Sequence, residues 1–141
     1  FASVEKVCLN EILYRYLDDY QEVYDYKGIT LDVHEKNTFN ITMNGTLAVV
    51  LITNLLKNAF VHNIYKGKIQ IEITSSNIRF GNTGKDEHLD EKHIFERFYQ
   101  GSKKEGSTGL GLAIVDAICR QSQLSIQYQF VKGWHWFDIS C

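Results

Sequence analysis

A chain of 141 residues, 44% hydrophobic and 23% charged, has the size and composition of one ordinary globular domain around a single core. Its formal net charge of -2 and sequence pI of about 6.2 leave no global positive field to hold nucleic acid or an anionic membrane, so any phosphate must be held locally. Cys8, Cys119 and Cys141, an odd count without Cys-x-x-Cys spacing, argue for reduced thiols in a cytosolic compartment rather than a disulfide framework or a zinc site.

No apolar run approaches the ~18 residues that suggest a membrane span, and Phe1-Ala2-Ser3-Val4-Glu5 does not begin a secretory signal. The chain starts without Met, as expected of a segment of a larger protein whose anchor lies elsewhere.

From Val4 to about Tyr24, apolar residues recur at three- and four-residue steps, which predicts an amphipathic helix. Ile29 to Val33 and Thr38 to Met43 alternate apolar and polar residues around a polar turn, and read as two short antiparallel strands. Asn44 is a good cap for a second, largely buried helix running through Leu47, Val50, Leu51, Leu55 and Ala59 to about Asn63. Lys68 to Thr74 and Asn77 to Phe80 predict a hairpin with Ser75-Ser76 at its turn. Gly81 to about Ser107 is polar and irregular apart from residues 94–99, and a loop of that length in a compact domain points to function. Gly109 to about Gln121 returns to helical periodicity, and Leu124 to Phe130 and Trp134 to Ile139 predict a closing strand pair.

Two segments carry phosphate chemistry. Asn54, Asn58 and His62 are four apart and share one face of the second helix. A neutral amide oxygen suits a magnesium ion that takes its other ligands from water and phosphates, although satisfied core amides produce the same pattern. Gly106-Ser107-Thr108-Gly109-Leu110-Gly111-Leu112 runs straight into a helix, where glycines let backbone approach a phosphate chain and the positive helix end attracts it. An ordinary loop-to-helix junction looks similar, and the segment has neither the Gly-Lys-Ser/Thr ending of a P-loop nor a preceding strand.

Between them lie Phe80-Gly81-Asn82-Thr83-Gly84 and Ile94-Phe95-Glu96-Arg97-Phe98-Tyr99. In this order, the four segments resemble the motifs of the GHKL ATPase superfamily, in its histidine kinase branch, over nearly the whole chain. Residues 54–63 resemble its N box, 82–86 its first glycine box, 94–99 its F box and 106–112 its second glycine box, with an ATP lid over about 82–107. The resemblance implies a single domain over 1–141 with an α/β (α+β) two-layer sandwich of the Bergerat type, in which three helices back a mixed sheet of about five strands.

It also implies roles residue by residue. Asn58 matches the magnesium-binding amide and, with Asn54, the catalytic pair. His62 matches a position that reaches ribose or phosphates, and a plain helix-surface histidine is the alternative. Asn82 matches the adenine-reading aspartate, and Gly84 lets the base approach. Phe95 and Phe98 match lid anchors, while Thr108, Gly109, Leu110, Gly111 and Leu112 match the phosphate-lining segment. The implied cofactors are ATP and Mg2+. The implied partners are the protein's own dimerisation helices, which carry the acceptor histidine outside this segment, and a response regulator receiver domain. Neither nucleic acid nor direct membrane contact is expected of this cytoplasmic segment, whose parent is expected to be membrane-anchored.

Several positions depart from the family pattern. Asn82 stands for the aspartate, and an amide both accepts and donates, so adenine recognition can survive the change. Asp86 stands where a second glycine is usual, and Val61 and Gln100 replace basic residues, which leaves Arg97, Lys103 and Lys104 as substitutes at the phosphate end. Hydrolytic branches of the superfamily carry a glutamate where this chain has Asn54; an amide is a very poor base, which suits a kinase awaiting a protein histidine. His34-Glu35 has the pairing of an acceptor motif but falls between two predicted strands. His88 and His93 read as loop residues, and Trp134-His135-Trp136 as a strand with one buried face in which nothing calls for a ligand. The alternatives are a degenerate nucleotide-binding or scaffold domain, or an anti-sigma-type serine kinase.

Overall fold

A computed structural model describes residues 3–85, 89, 93–96 and 111–141. The chain opens with β1 (Glu5–Cys8) and α1 (Leu9–Val23), followed by a 3-10 turn at Asp25–Lys27. Strands β2 (Thr30–Glu35) and β3 (Asn40–Met43) lead into α2 (Gly45–Val61), and β4 (Lys68–Ile73) pairs with β5 (Asn77–Thr83). Helix α3 (Gly111–Gln121) and the hairpin of β6 (Ser125–Val131) and β7 (Trp134–Ser140) complete the described chain.

The main sheet has the order β2-β4-β5-β7-β6, with β2 parallel to β4 and every other neighbour antiparallel. It is mixed, five-stranded and covered on one face by the three helices, as the fold expectation requires. Two local expectations are corrected. Residues 5–8 are a strand, because they pair antiparallel with Met43 to Asn40, and the first helix begins only at Leu9. The strands β2 and β3 do not form a hairpin: β2 lies beside β4 and β3 beside β1. Four to six alternating residues specify a face but not a neighbour, and the α2 crossover supplies the parallel partner. His34 therefore lies within β2, exposed, rather than between strands.

Asn10, only 3% exposed, staples α1 to the β2–β3 connection. Its amide nitrogen donates to Glu35 Oε2 at 2.6 Å and to the Asn37 carbonyl at 2.9 Å, while its oxygen accepts from the Phe39 amide at 2.9 Å.

Helix α2 is the centre of the helical layer, packed between α1 and α3 and against β5. Asn44 caps its start as expected, accepting from the Leu47 amide at 2.9 Å. Ala48, Leu51, Ile52, Leu55, Leu56, Ala59 and Phe60 are buried against the inner sheet face formed by Ile69, Ile71, Ile73, Ile78, Phe80, Phe137 and Ile139. Its last turn contains no basic residue. Lys27 supplies the missing charge from the 3-10 turn: buried, it donates through Nζ to the carbonyls of Phe60 (2.8 Å), Val61 (3.0 Å) and Asn63 (3.3 Å). A cation at the negative end of a helix dipole, bonded to carbonyls the helix cannot satisfy itself, stabilises that end on two counts.

Replacing Lys27 with Met keeps the stem and removes these bonds, so a denaturant titration is expected to find the domain about 2–4 kcal/mol less stable. Burial, with the Asp116 carboxylate as the lesser cause, pushes the Cys119 thiol up to about 12. The buried thiol is neutral in the fold and ionises at its ordinary value once unfolded, so its contribution to stability is complete below about pH 9 and lost as pH rises towards 12. At pH 8, a thiol reagent should label exposed Cys141 in the folded protein and reach Cys119 only on unfolding, as intact-mass measurement would show.

Candidate functional site

The predicted α2 face is present. Asn54, Asn58 and His62 are each half-buried, with His62 as the C-cap residue. The helix ends at Val61, two residues earlier than expected, because the chain turns at His62 and Asn63 onto the Lys27 ammonium. Asn54 donates from its amide nitrogen to the Val50 carbonyl at 2.8 Å, which turns its oxygen outward. That oxygen lies 3.3 Å from where a Cβ on Gly111 would stand, so the first residue of α3 rests against Asn54. One helical turn on, the Asn58 side chain makes no hydrogen bond among the described residues.

At the other end of this face, α2 meets the first glycine box. A Cβ on Gly84 would stand 3.0 Å from the His62 carbonyl oxygen and 3.1 Å from the His135 ring, so glycine lets the two segments approach without displacing either neighbour. Asn63 and Thr83 lock the junction. The buried Asn63 oxygen accepts from the Thr83 hydroxyl at 2.7 Å and the Ile64 amide at 2.9 Å, and its nitrogen donates to the Lys68 carbonyl at 3.0 Å. Thr83 Oγ1 in turn accepts from the Lys68 amide at 2.8 Å.

Asn82 sits at the end of β5, 2% exposed. Its nitrogen donates to the Thr83 carbonyl at 3.0 Å. A carbonyl only accepts, so the orientation of the amide is determined, and its oxygen accepts no hydrogen bond among the described residues. The group therefore presents an acceptor, as the carboxylate usual at this position would. Val61, at the position of the usual basic residue, is 4% exposed.

Phe95 packs edge-on against Phe137 with ring centroids 6.5 Å apart, beside buried Ile94, so the first half of the F box is anchored in the core. Gly111 and Leu112 open α3, Leu112 packing against the core. Phe98, Thr108, Gly109 and Leu110 lie outside the described residues, as do Asp86, His88, Arg97, Gln100, Lys103 and Lys104. His93 is exposed, 3.8 Å from Glu96. No group of three or more His, Cys, Asp or Glu side chains suited to a metal occurs among the described residues. Asn58, half-buried and without a hydrogen bond among the described residues, offers an amide oxygen of the kind taken by a magnesium ion that keeps most of its waters.

Sequence reasoning missed Lys27, Thr83, Tyr128 and His135, all of which shape the site's edges. A signal for His135 existed: it is the one polar residue in the inward series His135, Phe137, Ile139 of β7.

Comparison with known proteins gives this geometry a family. Residues 43–135 match the sequence profile of the histidine kinase-, DNA gyrase B- and HSP90-like ATPases. The chain is 26% identical over 141 residues to the sensor histidine protein kinase HK06 of Streptococcus pneumoniae, covering 96% of this chain and 31% of that protein. It is 30% identical over 129 residues to the heme sensor protein HssS of Staphylococcus aureus, covering 88% of this chain and 28% of that protein. It thus spans about a third or less of the curated relatives it matches. In fold it is similar to the mycobacterial sensor histidine kinase MprB, with a TM-score of 0.80, 19% identity and coverage of 96% of this chain and 94% of that one. It is likewise similar to the catalytic domain of histidine kinase ThkA, with a TM-score of 0.81, 20% identity and coverage of 97% and 93%. With the profile matched over more than half its length, and with glycine-bearing segments held against both ends of an asparagine-lined helix face, the chain belongs to the histidine kinase-, DNA gyrase B- and HSP90-like ATPase family.

Proposed function

We propose that this domain binds Mg2+-ATP along the Asn54–Asn58–His62 face of α2 and donates the γ-phosphoryl group to a histidine on a dimerisation helix outside this chain, for relay to a response regulator receiver domain. The observation that carries the reading is the placement of that face: its ends touch Gly111 and Gly84, and unbonded Asn58 lies midway. The names of the matched relatives, sensor histidine kinases among them, support the choice of phosphoacceptor.

In this reading Asn58 contributes an oxygen to the metal, which supplies charge neutralisation to the phosphates when bound. Asn82 accepts a hydrogen bond from the adenine exocyclic amine, and Gly84 leaves room for the base. His62, at the capped end of α2, faces ribose or phosphates. Residues 108–112 line the phosphates, where free amides at the start of α3 favour an anion. Phe95 and Phe98 anchor a lid that starts beyond β5 rather than at residue 82 and runs to about residue 107. Asn54 cannot take a proton from water, so the site holds ATP rather than hydrolysing it, and transfer rests on positioning and charge neutralisation.

Calorimetric titration tests the reading. Mg2+-ATP is expected to bind with micromolar affinity, and Asn58→Ala and Asn82→Ala are each expected to raise Kd about tenfold or more, equivalent to about 1.4 kcal/mol. With the dimerisation helices joined to the domain, the same Asn58→Ala change should abolish autophosphorylation. A folded domain that takes up no nucleotide at high concentration would favour a scaffold role instead.

A further inference from the structure

The inner face of the main sheet changes character along its length. At the β4–β5 turn end it is apolar, with Ile73 paired to Ile78 and Ile78 to Ile139. At the other end, Asn82 pairs with His135, two buried polar residues on one face, next to the end of α2. His135 is 5% exposed and ringed by aromatics: the Tyr128 ring is stacked at 5.9 Å and Phe130 lies at 5.0 Å. A buried imidazole in an apolar layer must be hydrogen-bonded, and both ring nitrogens of His135 have partners.

His135 Nε2 lies 2.7 Å from the Lys85 carbonyl oxygen. A carbonyl cannot donate, so Nε2 carries a proton. His135 Nδ1 lies 2.7 Å from the Tyr128 hydroxyl, and that hydroxyl accepts from the Leu89 amide at 3.1 Å. The Leu89 N–H is thus joined to the Tyr128 hydroxyl, that hydroxyl to His135 Nδ1, and His135 Nε2–H to the Lys85 carbonyl. The same ring fills the space beside Gly84, where a Cβ would stand 3.1 Å from His135 Cδ2. Lys85 and Leu89 are both held to strands β6 and β7, although they belong to neither.

We propose that Tyr128 and His135 are positioning residues that hold Gly84, Lys85 and Leu89 against the sheet, and so set the distance between the adenine-side glycine and the end of α2. The pair touches backbone rather than nucleotide, and it acts on binding by keeping Asn82 and Gly84 where they meet the base. This second part rests on the nucleotide-binding reading above.

The test uses the whole domain with Tyr128→Phe, His135→Leu and His135→Gln, each first shown folded by its thermal transition. Glutamine places an amide nitrogen near the position of Nε2 and can restore the bond to Lys85, which leucine cannot. Without nucleotide, Tyr128→Phe should speed amide exchange at Leu89 about tenfold, the size of one lost hydrogen bond. His135→Leu should weaken Mg2+-ATP binding about five- to tenfold, and His135→Gln should recover most of that loss. Unchanged exchange at Leu89, or leucine and glutamine variants of equal affinity to the unaltered domain, would overturn the proposal. An unaltered domain that binds no nucleotide would overturn the functional reading and the binding half of this one, while the exchange measurement still decides whether the clamp exists. Tyr128→Phe is the smallest change, so the exchange arm survives if the His135 variants do not fold.

Discussion

Helix α2 has two requirements that compete. Most of its surface is apolar and must be covered by α1, α3 and the sheet, yet three polar side chains must remain reachable along one stripe. The packing meets both by leaving glycine at the two places where other segments cross the stripe. Gly111 passes close to Asn54 and Gly84 close to the His62 carbonyl, and the intervening turn carries Asn58, whose amide makes no hydrogen bond among the described residues. The end of the helix is then held by Lys27 and by the Asn63–Thr83 bond, so the stripe has a defined length.

Neutral amides dominate the described part of the site: Asn54, Asn58 and Asn82. Each is oriented or left open by its backbone surroundings. Asn54 and Asn82 give their nitrogens to carbonyls, which leaves oxygens directed away. A carboxylate in the place of Asn82 would set negative oxygen against the Thr83 carbonyl, where the amide makes a bond instead. The departure from the family pattern is therefore accommodated locally, and an acceptor oxygen is kept. The loss of a basic residue at position 61 has a different origin. Val61 is buried and brings no charge to the end of α2, where the buried Lys27 ammonium is bonded to backbone carbonyls instead.

The polar end of the sheet interior links these elements. Asn82 and His135 are cross-strand neighbours, Gly84 lies under the His135 ring, and the ring's outer nitrogen meets Lys85. Burial of two polar groups in one corner of the core is costly unless each is bonded; Asn82 Nδ2 and His135 Nε2 bond to the backbone at the end of β5 and beyond it, and His135 Nδ1 to the Tyr128 hydroxyl. Satisfying the corner and directing the chain beyond Gly84 are thus one and the same arrangement.

Much of this was legible in the residues themselves. Periodicity marks α2 and α3, alternation marks the β4–β5 and β6–β7 hairpins, and four ordered motifs point to the family and its sandwich fold. These signals are local, since each depends only on residues within one element or on spacing along the chain. The strand at residues 5–8, the parallel β2–β4 pair and the separation of β2 from β3 were not legible, because a short alternating run specifies a face and leaves its neighbour open. Lys27, Thr83 and His135 were hidden for a related reason: each acts on a group 20 to 50 residues away in sequence, at a point brought near only by folding. The sequence by itself determined the family, the helices and hairpins, and the row of polar side chains on α2. Only the tertiary structure decided which backbone carbonyls orient them, because those partners come from other elements, and contact between elements exists only once the core has closed.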